Sequence, residues 1–413
     1  MATPPNSAEP GARAPQTRIS LGPMLRTGSR TSTLILSVTL LLVLIGLIMV
    51  LSSSSVISYL DEQGFLGMFA KQAVFAAIGL PLMLIASTRK VTFWKKWAWP
   101  LLGFGVMLQL LVFSPIGIDV YGNRNWIQIG GVTMQPSEPL KLALIVWMGT
   151  VLYQKRKLLG NVAHALIPVL PGAVLVLGTV LLGHDLGTVI IMAAIVIGVL
   201  FFAGLSWKAL SIPLVGGIVM AAGFALFSEN RMGRILNFLE KEVTDYSGRD
   251  WQPLHGEWAL ASGGLFGVGL GNSRTKWSWL PAADNDYIFA IIGEETGMVG
   301  ALVVIGLYVV LAFALLRAIR ECDDLFGRAV IGGVFVWIIG QAFVNIAVVL
   351  KLLPVLGVPL PLLSSGGTAL ISCMLAIGVV LSITRDTAER RARAAEAAVA
   401  DLHAGPPHLG RTQ

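Results

Sequence analysis

Residues 271–297 read GNSRTKWSWLPAADNDYIFAIIGEETG, a polar, aromatic run carrying Asp284 and Asp286 that passes directly into a long apolar helix pattern from Tyr287 onward. Asp286 therefore stands where the helix starts, near the positive end of its dipole and at the lip of an apolar layer. Glu294 follows eight residues later, roughly 12 Å deeper at a helical rise of about 1.5 Å per residue. Acids kept at such depths usually have work to do, although an N-terminal cap alone explains an aspartate at 286.

The rest of the chain supplies the apolar layer. Of 413 residues, 55% are hydrophobic and 13% charged, and the mean hydropathy is +0.76, which excludes an ordinary soluble domain and defines an integral membrane protein. Ten apolar stretches follow one another at 34–52, 69–86, 97–113, 137–152, 163–182, 186–205, 209–227, 287–316, 330–350 and 368–383. The expected fold is an all-α, polytopic bundle of ten transmembrane helices with a large extracytoplasmic loop, 228–285, between helices seven and eight. Residues 1–33, rich in Pro, Ala, Gly, Ser and Thr, read as a disordered cytoplasmic tail, 34–385 as the membrane domain, and 386–413 as a charged, partly disordered tail.

An even number of crossings puts both termini on one side. Arg89, Lys90, Lys95, Lys96, Lys155, Arg156, Lys157, Lys208, Arg317, Arg320 and Arg328 fall in alternate loops with the tails, so the positive-inside rule makes that side cytoplasmic. The outer loops are then 114–136, 228–285 and the proline- and glycine-rich 351–367. The last predicts broken, re-entrant backbone, which a membrane tolerates only when it is buried in protein or lines a cavity. Cys322 and Cys373 fall in separate environments, which argues against a disulfide. No histidine or cysteine spacing supports a metal ligand set, so no cofactor is evident, although a divalent cation could assist by neutralising charge. Nothing in the pattern points to nucleic acid.

Several charged groups need an explanation. Glu138 and Lys141, at i and i+3 of the fourth helix, are spaced to pair, structurally or in a substrate site. Asp185 either caps the sixth helix or faces a central cavity. Arg124 and Trp126 in NRNW suit a phosphate and a sugar face, or a lipid interface. Arg231, Arg234 and Lys276 are outer cations of the kind topology disfavours, and hint at an anionic ligand; their bland explanation is solvated charge among interleaved acids. The glycines of GGLFGVGLGNS have neither nucleotide-loop spacing.

Over about residues 34–385 the chain resembles the SEDS family of bacterial cell-wall polymerases. The motifs, in order, are IMVLSSSSV, NRNWIQIGGVTMQPSEPLKLALI, HDLGT, RMGRILNFLE, ASGGLFGVGLGNSRTKWSWLP, NDYIFAIIGEETG and NIAVVLKLLPVLGVPLPLLSSGGTAL. The resemblance implies a ten-helix peptidoglycan glycosyltransferase that polymerises lipid II outside the cytoplasmic membrane. Glycan held on undecaprenyl pyrophosphate would pass to the GlcNAc 4-hydroxyl of another lipid II through a β-1,4 bond. It implies Asp286 as the essential aspartate, a general base in this scheme. Cations near it would neutralise the departing pyrophosphate, with Lys276, Arg231 and Lys351 as candidates. It also implies a class B penicillin-binding transpeptidase as partner, with other division proteins at the septum, since Asn285, the serine-rich first motif and the long tails resemble division-type members more than elongation-type ones.

The chain departs from the family pattern at Pro281-Ala282, where Pro-Glu is common, at Lys351, where glycine is usual, at Ser365, and at His255 and Gly256. The rivals are an elongation-type polymerase, a septal scaffold, and a lipid II flippase or transporter, which intramembrane acids would also suit. The absence of a convincing inverted repeat and the outer clustering of charge favour surface chemistry.

Overall fold

The computed structural model describes residues 29–60, 64, 66–120, 122–167, 169–226, 232–234, 236, 238, 251–277 and 279–404. It is mostly helical. Among the described residues, eight helical stretches are long and apolar enough to cross a membrane: Arg30–Ser54, Gly67–Thr88, Val91–Phe113, Val162–Leu182, Trp207–Phe224, Ile288–Glu321, Leu325–Val349 and Gly367–Ala398. Two more of the apolar stretches form the helices Ser137–Gln154 and Leu186–Phe202. Ser137–Gln154 carries Glu138 and Lys141 and is buried along nearly its whole length, which places it at the centre of the bundle. The peripheral helix Trp207–Leu226 instead exposes Trp207, Val215, Val219 and Leu226, side chains whose natural neighbours are acyl chains.

Polar contacts sort the bundle into two ends. At one, Lys95 pairs with Asp324 at 3.0 Å, Thr31 donates to Glu321 at 3.1 Å, and Arg385 donates to the Thr88 carbonyl at 2.8 Å. The helix Gly367–Ala404 runs on through this end well past the apolar stretch, pinned by Arg391 to Asp323 at 3.3 Å. At the other end lie Asp286 and an antiparallel three-stranded sheet, Gly117–Val120, Asn123–Ile129 and Val132–Met134, within the 114–136 loop. Its second hairpin turns on Gly130 and Gly131, both at positive φ, with Ile129 opposite Val132. Hydropathy alone did not reveal this sheet.

Two breaks in helical geometry shape the site. Gly297, at φ 69° and ψ −170°, interrupts Ile288–Glu321, a conformation only glycine adopts readily. Residues 288–295 before the break are buried, whereas Met298, Val299, Leu302 and Val303 beyond it are exposed. The helix Trp251–Gly263 and the turn after it lie against this first segment. The Glu294 and Glu295 carbonyls accept from the Val268 and Gly269 amides, and Met298 and Val299 donate to Gly264 and Leu265. The second break is a π turn, Val336–Gly340, between Leu325–Phe335 and Gln341–Val349. It swings Gln341 and Asn345 toward residues 350–366, which form no helix.

Candidate active site

Residues 350–366 form the floor beneath Asp286. Gln341 donates to the Pro359 carbonyl at 2.8 Å, and Asn345 Nδ2 donates to the carbonyls of Val358 at 2.8 Å and Asp286 at 2.7 Å. Ser364 Oγ donates to the Asn285 carbonyl at 2.6 Å, and the Ser365 amide to that of Asp284 at 2.8 Å. Broken backbone in an apolar surround must be satisfied by neighbouring side chains, and these amides and hydroxyls do so while fixing the backbone of 284–286.

Asp286 is half-buried, two residues ahead of the helix Ile288–Glu321. No described protein donor reaches its Oδ1. Its Oδ2 faces the backbone of Gly357, where an added Cβ would stand 3.6 Å away. Burial, then the negative charges of Asp284 and Asp185, push its pKa up to about 7, with Arg234 pulling the other way. Burial raises Asp284 as well. A carboxyl poised near neutrality, with one oxygen unused, is suited to taking a proton.

Asp185 caps a helix, one of the two roles its position in the sequence allows, and its second oxygen is taken up by neighbouring side chains. Its Oδ1 caps the helix Leu186–Phe202 by accepting from the Thr188 amide at 2.9 Å. Its Oδ2 accepts from Thr188 Oγ1 at 2.8 Å, from Gln135 at 3.2 Å and from Asn125. Asn125 in turn is held by Gln109 at 2.8 Å. Glu138 and Lys141 form a buried pair at 2.7 Å, and Lys141 also donates to Gln341 at 3.1 Å, which ties the central helix to the floor loop. Among the described residues Glu138 Oε2 has no protein donor.

The candidate cations divide. Lys276 is buried and paired with Glu295 at 3.3 Å, and also donates to the Gly271 carbonyl at 2.6 Å. Lys351, at positive φ, pairs with Glu257. Arg124 spends its guanidinium on the carbonyls of Val112 at 3.0 Å and Ser114 at 3.2 Å, with Trp126 half-buried in the sheet beside it. Arg231 lies outside the described residues. Arg234 is exposed and acts on Asp286 through its charge. Among the described residues Glu294 takes no cation: it accepts from Ser273 and Thr275 side chains and from the Arg274 amide at 2.9 Å. The ion pair falls one residue on, at Glu295. Asn125, Gln135, Gln341 and Asn345 were missed by sequence reasoning, because uncharged amides in apolar runs stand out only once their partners are known.

A largely apolar cavity of about 500 Å³ opens between the helices Leu186–Phe202 and Trp207–Leu226. Its wall includes Val189, Ala193 and Leu214, and its rim Arg234, Pro354 and Leu356. Leu356, in its lining, precedes Gly357, whose backbone faces Asp286 Oδ2. Among the described residues no three metal-ligating side chains cluster.

The architecture is that of helical membrane proteins already solved. It matches a chain from the work described as "Structural coordination of polymerization and crosslinking by a peptidoglycan synthase complex" with a TM-score of 0.69 and 25% identity, over 86% of this chain and 97% of that one. It matches the rod shape determining protein RodA of Thermus thermophilus with a TM-score of 0.61 and 26% identity, over 85% and 96%. Residues 32–389 fit the family model FTSW_RODA_SPOVE, described as "Cell cycle protein", and the chain belongs to that family. It is 36% identical to the peptidoglycan glycosyltransferase FtsW of Mycobacterium tuberculosis over 97% of this chain and 75% of that protein. To the stage V sporulation protein E of Bacillus subtilis it is 35% identical, over 85% and 96%.

Proposed function

We propose that this chain is a peptidoglycan glycosyltransferase of cell division that polymerises lipid II, with Asp286 as general base. The observation that carries the mechanism is the unpartnered carboxylate oxygen of Asp286, set behind the Gly357 backbone next to an apolar cavity lined in part by Arg234 and Leu356. Asp286 removes the proton from the acceptor sugar's 4-hydroxyl. That oxygen then bonds to the anomeric carbon of the donor strand, and the bond from that carbon to the lipid pyrophosphate breaks. Arg234 is the described cation best placed to offset the leaving charge, since Lys276 and Lys351 are committed to carboxylates. The cavity suits the isoprenoid chain of a lipid-linked sugar.

The helices Ser137–Gln154 and Leu186–Phe202 complete a ten-crossing topology, with the basic end cytoplasmic and Asp286 on the outer side. A class B penicillin-binding transpeptidase is the partner, as the resemblance to a synthase-complex subunit supports. Incubating purified protein with labelled lipid II, alone and with such a partner, tests the function. Glycan strands are expected; no strands, together with lipid II crossing liposomes, would establish a flippase instead.

Because Asp286 must be ionised to act and its pKa is raised to about 7, kcat/KM should fall roughly tenfold per unit as pH drops below that value. A profile flat from pH 5 to 8 would exclude Asp286 as the titrating base. Asp185→Asn removes one of the charges that raise this pKa, so the bend should move to lower pH. Asparagine caps a helix about as well as aspartate, so Leu186–Phe202 should keep its cap in this variant. A bend that stays in place in this variant would show that Asp185 does not act on Asp286.

A further inference from the structure

Four aromatic rings beside the Asp286 mouth have no role in the mechanism above. Trp251, His255 and Trp258 project from the helix Trp251–Gly263 at the i, i+4 and i+7 positions of one face. Trp279, from the segment leading to Asp286, stacks on the first two. Its ring lies 5.8 Å from Trp251 with 16° between planes, and 5.8 Å from His255 at 23°. His255 is the wedge: it is buried, 4.0 Å from Trp251 and 4.9 Å from Trp258, and Nδ1 is 2.8 Å from the Trp251 carbonyl oxygen. Trp258 and Trp279 remain 50% and 54% exposed, so two indole faces are held rigidly open.

The wall is fastened to the active site. An added Cβ at Gly256 would meet the ring of Tyr287, the residue after Asp286, at 2.6 Å. Gln252 donates to the Pro281 carbonyl at 3.0 Å, and Glu257 pairs with Lys351 at the edge of the floor loop. Flat indole faces fringed by an amide, a carboxylate and an ammonium match a pyranose, which presents an apolar C–H face ringed by hydroxyl and acetamide groups. Rigid aromatics also bind at little entropic cost.

We infer, given the polymerase function proposed above, that Trp251, His255, Trp258 and Trp279 form a saccharide platform that holds the β-1,4-linked N-acetylhexosamine strand beside Asp286. Trp258 and Trp279 contact the sugar faces, and His255 positions them.

The probe is the lipid-free β-1,4-linked tetrasaccharide of N-acetylglucosamine, titrated against the full chain in nanodiscs and followed by saturation-transfer NMR. Saturable binding is expected with wild type and with Asp286→Asn. Binding should weaken about tenfold in Trp279→Ala and in Trp258→Ala, and return in Trp279→Tyr, which keeps a ring. Trp207→Ala, a distant exposed tryptophan, should bind like wild type. Absence of saturable binding, or wild-type binding by well-folded Trp279→Ala and Trp258→Ala, overturns the platform and leaves these indoles as a membrane-interface belt. Binding involves no turnover, so this result is independent of whether lipid II is polymerised. Where it is, Trp279→Ala should also yield shorter strands.

Discussion

Asp286→Asn protein is expected to polymerise lipid II at least about a hundredfold more slowly than wild type while remaining as stable, or more so. The substitution is nearly isosteric and leaves the backbone contacts that place residue 286. The Asn345 side chain still bonds its carbonyl, and Ser364 and Ser365 still hold the two residues before it. What disappears is the basic carboxylate to which the proposed mechanism gives the acceptor sugar's proton. The stability prediction follows from the raised pKa. Between the usual carboxylate range and about pH 7, the folded protein binds a proton that the unfolded chain has released, so folding loses stability as pH rises through that window. At pH 8 the charged side chain is a liability that asparagine removes, and a melting temperature equal to or above wild type is the expected signature. Wild-type polymerisation by Asp286→Asn would end the general-base assignment.

The largest structural effect is expected at Lys276. Its ammonium is 3% exposed and its partner Glu295 is fully buried, so Lys276→Met strands a carboxylate in an apolar surround, at about 3–5 kcal/mol. Ser52, whose hydroxyl donates to both Glu295 oxygens at 2.6 Å, cannot replace the lost charge. The same ammonium holds the Gly271 carbonyl, so the segment that ends in Asp286 loosens at its origin and polymerisation should fall with the melting temperature. Adding Glu295→Gln should recover most of the stability, and the double-mutant cycle measures the coupling. A Lys276→Met protein that melts like wild type would show that the pair is not structural, and would return Lys276 to the list of substrate cations.

Apolar runs made the helices legible in the sequence, because in a membrane protein length and hydropathy nearly suffice to define an element. Asp286 was legible from its place at a helix start and from the motif around it. The active partners of that residue were not. Asn345 and Gln341 lie within an apolar helix, and only the π turn before them turns both toward the floor loop. Lys276 read as an outer cation awaiting an anion because its partner, Glu295, is distant in sequence and only the fold around Gly297 brings them together. Asp185 was left between a cap and a cavity-facing acid; one oxygen makes the cap, and the other is held by Thr188, Gln135 and Asn125.

The break at Gly297 has a consequence for biosynthesis. The amides and carbonyls it frees are recaptured by residues 264–269, and Gly267, at φ 79°, packs where any side chain would strike the Glu295 carbonyl. Residues 264–269 leave the ribosome first, yet their bonding partners at 294–299 emerge only afterwards. A nascent chain halted before residue 299 leaves these groups unpaired, and the support of Asp286 itself waits longer, for Asn345, Ser364 and Ser365.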